Sequence, residues 1–291
     1  MVKKYSELYR EARNALLTQE SPQDASLLAR SLLCHITQKR PEEILAHSEL
    51  YASQQQCDAL TEVVNRVLDG EPIAYVLGQW DFFGLTLFVD PNVLIPRDDT
   101  CAVTELVMKY GLYMDDSPRV LDLCTGSGCI GLAVASRIHD AKVTLADISK
   151  DALNVAKKNI ALLKMNGRVS CVVADALNAP SKFLGTFDLI VSNPPYITTA
   201  EMLELPKSVK DYEPHLALHG GADGLDFYRA ISKNYIQALK PGGYLCFEFG
   251  MGQGDAVCSI LEMNGFTILE RARDYNDRER AVIAQYNRKE D

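Results

Sequence analysis

The chain has 291 residues, 47% of them hydrophobic, which excludes a disordered polypeptide and allows one large α/β unit or two domains with real cores. Lys and Arg total 30 against 39 Asp and Glu, a formal charge of −9, which argues against generic attraction to phosphate backbones but leaves room for a local basic patch. Eight cysteines lie scattered without a Cys-x-x-Cys pair, the opening Met1-Val2-Lys3-Lys4-Tyr5-Ser6-Glu7 lacks a signal-peptide core, and no run approaches a membrane span. A reduced, cytoplasmic protein with no membrane partner is therefore expected.

Residues 1–70 carry helical periodicity. Tyr5, Leu8, Tyr9, Ala12 and Leu16 share one helix face. Ser21-Pro22 pairs an N-cap with Pro at the first helical position, and Leu27, Leu28, Leu32 and Ile36 continue that helix. Pro41 opens a short third helix. A fourth carries Leu60, Val63, Val64, Val67 and Leu68, with Gly70 just past its end. A small N-terminal helical bundle is expected, with His35 and His47 as ordinary core-edge or surface residues. Residues 71–97 read as a connector. The Phe83-Gly84-Leu85 step predicts a β-hairpin there, and Pro91 and Pro96 keep the chain extended up to Arg97.

Residues 98–291 read as the catalytic domain. After a helix carrying Val103, Leu106, Val107 and Tyr110, strand and helix alternate, as in a parallel sheet. Val120-Leu121-Asp122-Leu123 predicts a buried strand followed by the turn Cys124-Thr125-Gly126-Ser127-Gly128. Further strands are expected over 143–146, ending at Asp147; over 169–173, followed by Asp175 and Ala176; and over 187–192, ending at Asn193. A helix is expected over 227–239, then a turn at Pro241-Gly242-Gly243, a strand over 244–249 and a helix near 255–264. Closing strands over 266–270 and 281–286 are joined by a polar run. No internal repeat appears.

Two stretches carry chemistry. Gly126-Ser127-Gly128-Cys129-Ile130-Gly131 fits G-x-G-x-x-G between strand and helix, with Asp147 ending the next strand. That pattern also suits a dinucleotide. S-adenosylmethionine has an ammonium, a sulfonium, a ribose diol and an adenine but no phosphate, and the acids Asp122, Asp147 and Asp175 at three strand ends suit it better. The second stretch is Asn193-Pro194-Pro195-Tyr196. Its prolines stop a buried strand and hold Asn193 extended at the carboxyl end of a sheet, where α/β folds bind ligands. The Asn193 oxygen and the Pro194 carbonyl can accept the two hydrogens of a planar –NH2 group, and the Tyr196 ring can stack on its face. The bland alternative is a Pro-Pro turn with a surface Tyr. His215 and His219 lie four apart near Glu213 and Asp223, but Gly and Pro around them argue against a helical ligand pair, and no metal is expected.

The tetrapeptide is similar to the signature of methyltransferases acting on planar nitrogens. Along nearly its full length the chain resembles the bacterial peptide-chain release factor glutamine N5-methyltransferase family. The matching stretches are Gly70–Tyr75, Phe83-Gly84-Leu85, Val93–Arg97, Leu121-Asp122-Leu123 with its glycine turn, Ser192–Ile197, Tyr212–Leu218, Gly220–Leu225 and Leu239–Gly243. The resemblance implies a class I S-adenosylmethionine-dependent methyltransferase, with a Rossmann-like seven-stranded sheet whose last strand is antiparallel. It implies methylation of the Gln in the Gly-Gly-Gln loop of class I release factors by a monomer without direct nucleic-acid binding, the helical bundle docking the release factor. Asp122, Cys124, Thr125, Gly126, Ser127, Gly128, Asp147, Asp175, Ala176 and Asn193 would then bind the cofactor. Asn193, Pro194, Pro195 and Tyr196 would hold the substrate, with Asn193, Pro194 and Tyr196 serving catalysis. The chain departs from the family at Cys124, where Gly is usual, at Asp98-Asp99-Thr100-Cys101 and at His219.

An amide nitrogen is a poor nucleophile because its lone pair is delocalised. The expected catalysis is positioning plus electrostatics, with no activated side-chain nucleophile. Two other functions are open on the sequence. A nucleic-acid base-amine methyltransferase would need a basic groove and base flipping, and a non-catalytic S-adenosylmethionine sensor would have no use for Asn193-Pro194-Pro195-Tyr196.

Overall fold

The structure is a computed structural model that describes residues 2–112, 114 and 117–287. Met1 and residues 288–291, at the outer ends of the two expected domains, lie outside the described residues. The chain divides into two compact units. One runs up to Gly78 and includes Lys207–Tyr212; the other comprises Gln79–Pro206 and the chain from Glu213 onward.

The first unit is helical: α1 (Tyr5–Leu16), α2 (Pro22–Thr37), α3 (Pro41–Ala46), α4 (Gln54–Leu68) and α5 (Ile73–Leu77). Ser21 caps α2 by accepting from the Asp24 N–H, with Pro22 in the first turn as its sequence suggests. Ser53 and Gln56 form a capping box that opens α4. Leu8, Leu16, Leu32, Leu33, Leu60 and Val64 pack its core. The short α5 was not expected, since five residues are too few to show a period. Lys207 Nζ and Tyr212 Oη both donate to the Asp69 carbonyl, at 3.1 and 3.3 Å, which ties that distant segment to the end of α4.

The second unit begins with the hairpin β1 (Gln79–Phe82) and β2 (Leu85–Phe88). Both turn residues, Phe83 and Gly84, have positive φ (52° and 79°), the geometry of a type I′ turn that matches strand twist. The expected connector is thus divided between the units: α5 and Gly78 lie in the first, the hairpin and the extended run to Arg97 in the second. Asn159 accounts for the hairpin's placement. Fully buried, it accepts from the Phe88 N–H (2.7 Å) and donates to the carbonyls of Phe88 (3.0 Å) and Ser127 (2.9 Å), joining the hairpin to the glycine-rich turn.

After α6 (Cys101–Gly111) come β3 (Arg119–Leu123), α7 (Cys129–Arg137), β4 (Lys142–Asp147), α8 (Lys150–Leu162), β5 (Val169–Val173) and β6 (Phe187–Ser192). Then follow α9 (Lys207–Lys210), which belongs to the helical unit, α10 (Asp226–Asn234), β7 (Leu239–Glu248), α11 (Gly254–Met263), β8 (Phe266–Arg273) and β9 (Glu279–Tyr286). Among the described residues the strands form a seven-stranded sheet in the order β5-β4-β3-β6-β7-β9-β8. The last strand, β9, runs antiparallel to both neighbours, and the pairings from β5 through β7 are parallel. Apolar layers cover both faces of the sheet, so its strands read as continuous apolar runs. Strand order reverses between β3 and β6, which opens a crevice at their carboxyl ends.

Two elements differ from expectation. Helix α10 stops at Asn234 and tightens into a 3-10 turn over Tyr235–Ala238, and β7 starts at Leu239, taking in Pro241-Gly242-Gly243. Gly242 has φ 74° and its carbonyl accepts from Gln285 Nε2 (2.9 Å), so the Pro-Gly-Gly segment is an irregularity within the strand. The closing strands run on to Arg273 and from Glu279, because the buried Asp274 carboxylate accepts from the N–H groups of Asn276 and Arg278 and from Arg280 Nε.

Candidate active site

The carboxyl ends of β3, β4, β5 and β6 surround an open cavity of about 1070 Å³ counting its mouth. Its wall includes Cys124, Thr125, Gly126, Ser127, Asp147, Asp175, Ala176, Asn193 and Pro195, so most of the residues expected from sequence converge there. Val93, Pro96, Arg97, Thr100 and Phe227 also line it, and sequence reasoning assigned none of them a site role.

The glycine-rich turn is held from two sides. Cys124 has φ 61°, so the residue that stands where Gly is usual keeps the left-handed turn, a conformation that costs an L-residue about 1–2 kcal/mol. The Gly126 N–H donates to Asp147 Oδ2 and the Ser149 N–H to Oδ1, both at 2.9 Å. The Ile148 backbone N–H also acts on this carboxylate, which faces the cavity at the end of β4 with acceptor capacity to spare. Burial raises its pKa despite these hydrogen bonds. Asp175 is also committed locally, with Oδ1 accepting from the Leu177 N–H (2.9 Å) and Oδ2 from Asn178 Nδ2 (2.6 Å).

Asp122 and Gly128 sit elsewhere than expected: neither lines the cavity. Asp122 is 1% exposed and lies beneath the turn, its Oδ2 accepting from Thr125 Oγ1 (2.7 Å) and the Gly131 N–H (2.9 Å). It reads as foundation because its side chain points into the α7–β3 packing rather than past the strand end. Gly128 has φ 84° and caps α7, and a Cβ there would lie 2.9 Å from Leu145 Cδ1.

Burial pushes the Asp122 pKa up to about 7, with Asp147 adding to the effect and the two hydrogen bonds opposing it. A folded pKa above the unfolded value near 3.9 means that this group favours folding fully below about pH 4 and loses that contribution as pH rises through about 7. Asp122→Asn cannot titrate, so its urea midpoint relative to wild type should rise steadily over that window. A constant difference would show that the carboxyl does not titrate there.

Asn193 follows β6 directly, in the cavity wall. Its Nδ2 faces Thr100 Oγ1, 3.4 Å off, and the buried Glu248 carboxyl lies close enough to both side chains that they oppose the pKa rise its burial causes. Pro194 and Pro195 are buried, and only Pro195 lines the cavity. Tyr196 is half-buried outside the cavity wall; its carbonyl accepts from Gln253 Nε2 (3.1 Å). The Gly220–Gly224 loop clamps the following stretch: Ile197 N–H donates to Leu218 O (2.9 Å), and Gly220 N–H to Ile197 O (2.8 Å). A Cβ on Gly220 would come within 2.6 Å of the Pro195 carbonyl, so only glycine fits. Arg97 and Glu213, from two of the matching stretches, form a partly buried ion pair, Arg97 Nη2 donating to Glu213 Oε1. Thr199 Oγ1 lies 2.9 Å from His219 Nε2, and no metal-type cluster of His, Cys, Asp and Glu occurs among the described residues.

A seven-stranded sheet with this strand order, a glycine-rich turn after the first strand and an acid ending the second defines the class of S-adenosylmethionine-dependent methyltransferases. The donor set fits that ligand: an acid with spare lone pairs suits a diol, and polar groups flank an apolar wall. Residues 7–78 match the family described as PrmC N-terminal domain, and residues 100–207 match the methyltransferase small domain. The release factor glutamine methyltransferase of Clostridium acetobutylicum is 38% identical over 87% of this chain and 88% of that protein. The one from Chlorobaculum tepidum is 36% identical over 92% of each. A methyltransferase structure from Pyrococcus furiosus shares the fold with a TM-score of 0.51 and 18% identity, over 78% of this chain and 99% of that one. The chain belongs to the release factor glutamine methyltransferase family, and it is an enzyme that uses S-adenosylmethionine. Among the described residues no helix is long and apolar enough to cross a membrane.

Proposed function

We propose that this cytoplasmic enzyme methylates the side-chain amide nitrogen of the Gln in the Gly-Gly-Gln loop of class I peptide-chain release factors. The observation that carries the reading is Asn193. Its amide nitrogen lies 3.4 Å from Thr100 Oγ1 and near the buried Glu248 at the carboxyl end of β6, an orientation that leaves its oxygen for a donor in the cavity. S-adenosylmethionine supplies an electrophilic methyl group. Asn193 Oδ1 and the Pro194 carbonyl accept the two amide hydrogens, aim the nitrogen and stabilise the positive charge that builds on it. Tyr196 packs against the amide plane. The helical unit, which matches the PrmC N-terminal domain, holds the body of the release factor. The enzyme acts as a monomer and does not bind nucleic acid directly, in keeping with its net charge of −9.

In the cofactor site the glycine turn lies under the methionine end, Asp147 takes the ribose diol, and Asp175 with Ala176 borders the adenine. Asp147→Ala should weaken S-adenosylmethionine binding by about 1–3 kcal/mol, as for loss of hydrogen bonds to a charged group. Titration calorimetry that finds the affinity unchanged would remove the diol assignment. The functional reading itself is tested by offering the enzyme methyl-labelled S-adenosylmethionine together with purified release factor, DNA and RNA. Label is expected in the release factor; label in nucleic acid would favour the base-amine reading.

A further inference from the structure

Glu248 is a charged residue in an otherwise apolar strand end, following Leu245-Cys246-Phe247. The β6–β7 register pairs Ser192 with Phe247, so the next residues along, Asn193 and Glu248, emerge side by side. Glu248 is 1% exposed. Its carboxyl lies near the polar side chains of Thr100 and Asn193, and its Oε2 is buried without a hydrogen-bond partner. The nearby cation, Arg280, is shared with Asp99 (2.8 Å) and Asp274 (3.1 Å) and so does not neutralise Glu248 alone. Burying a carboxylate with one oxygen unpaired is costly, and an apolar residue of similar volume would be neutral or stabilising in its place. The packing of β7 therefore gives no reason for a Glu here, and the neighbouring Asn193 does.

An Asn amide is nearly symmetric in shape, and its two orientations differ only in where donor and acceptor point. Turned by half a rotation, Asn193 would aim an NH2 group at the NH2 group of the substrate. We infer that Glu248 is a positioning residue which, with Thr100, holds Asn193 by its amide nitrogen, so that the amide oxygen is the atom presented to the substrate. In its ionised form the carboxylate enforces that choice because it only accepts, and burial places its ionisation near neutrality, at a pKa of about 7. Thr100 alone does not, since a hydroxyl both donates and accepts. This inference rests on the reading of Asn193 as the group that grips the substrate amide.

The test compares Glu248→Met, which keeps the volume but removes the acceptor, with Glu248→Gln, which offers both a donor and an acceptor. In single-turnover transfer to release factor, Glu248→Met should lose about 10²-fold in rate, the usual cost of misplacing a reacting group. Glu248→Gln should be intermediate. Cofactor affinity should hardly change, and the melting temperature should match or exceed that of wild type. In the free enzyme, the Asn193 side-chain NH2 resonances, identified by their absence from Asn193→Ala, should shift and exchange faster with water in Glu248→Met. Unchanged Asn193 resonances and exchange, a wild-type transfer rate, or activity falling in step with melting temperature and cofactor affinity would overturn the inference. A wild-type enzyme that transfers nothing to release factor would overturn the functional reading instead, and the Asn193 resonances would still decide this one.

Discussion

Release factor carrying Glu in place of Gln in its Gly-Gly-Gln loop is expected to be methylated about 10⁴-fold more slowly, or slower still, than the Gln form. The reason is the polarity of the site. On the proposed reading Asn193, whose nitrogen faces Thr100 Oγ1, offers its oxygen to the substrate, and the Pro194 carbonyl is a second acceptor. The incoming group must bring two donors. An ionised carboxylate brings none and would set its own lone pairs against two oxygens. A site built to hydrogen-bond a substrate N–H leaves its own groups unpaired when the N–H is missing, and that penalty produces large discrimination. Single-turnover rates with the two forms of the factor give the ratio directly. Rapid transfer to the Glu form would mean that the site does not read the amide hydrogens.

The second large effect is on the enzyme side. Asn193→Ala should lower kcat by about 10²–10³, comparable to removing one preorganised group at a reacting centre. On the proposed reading the substitution removes the oxygen that orients the nitrogen, and it takes away a polar neighbour of the buried Glu248. Affinity for S-adenosylmethionine should fall far less, because the glycine turn, Asp147 and Asp175 are held by their own hydrogen bonds independently of Asn193. Rapid-mixing transfer assays and equilibrium binding on the same preparation separate the two quantities. A kcat close to wild type, or a loss confined to cofactor affinity, would reassign Asn193 from substrate to cofactor.

The alternation of strand and helix was legible because a strand covered on both faces is apolar throughout, as in Leu121-Asp122-Leu123 and Leu189-Ile190-Val191. Asn193 was legible because two prolines mark the end of its strand. Its partner was not: Glu248 lies far along the chain, and only the β6–β7 register brings the two together. A lone Glu in the run Leu245–Phe249 was the available signal, and it reads equally well as a strand end. Asp122 looked like a ligand because it precedes the glycine turn, yet a side chain's direction depends on strand pleat and on α7 above it, and here Thr125 and Gly131 claim the carboxylate. The joining of Lys207–Tyr212 to the helical unit rests on a lysine and a tyrosine reaching one backbone carbonyl, that of Asp69, which no periodicity reveals.

On the proposed function, Asn193-Pro194-Pro195-Tyr196 serves a glutamine amide in a release factor. The most direct test of that function is tandem mass spectrometry of purified class I release factor after incubation with the enzyme and S-adenosylmethionine. The expected result is the mass of one added methylene on the Gly-Gly-Gln peptide, localised by fragmentation to the Gln side chain and absent with Asn193→Ala enzyme. An unmodified Gln after complete turnover conditions, or a methyl group on any other residue, would contradict it.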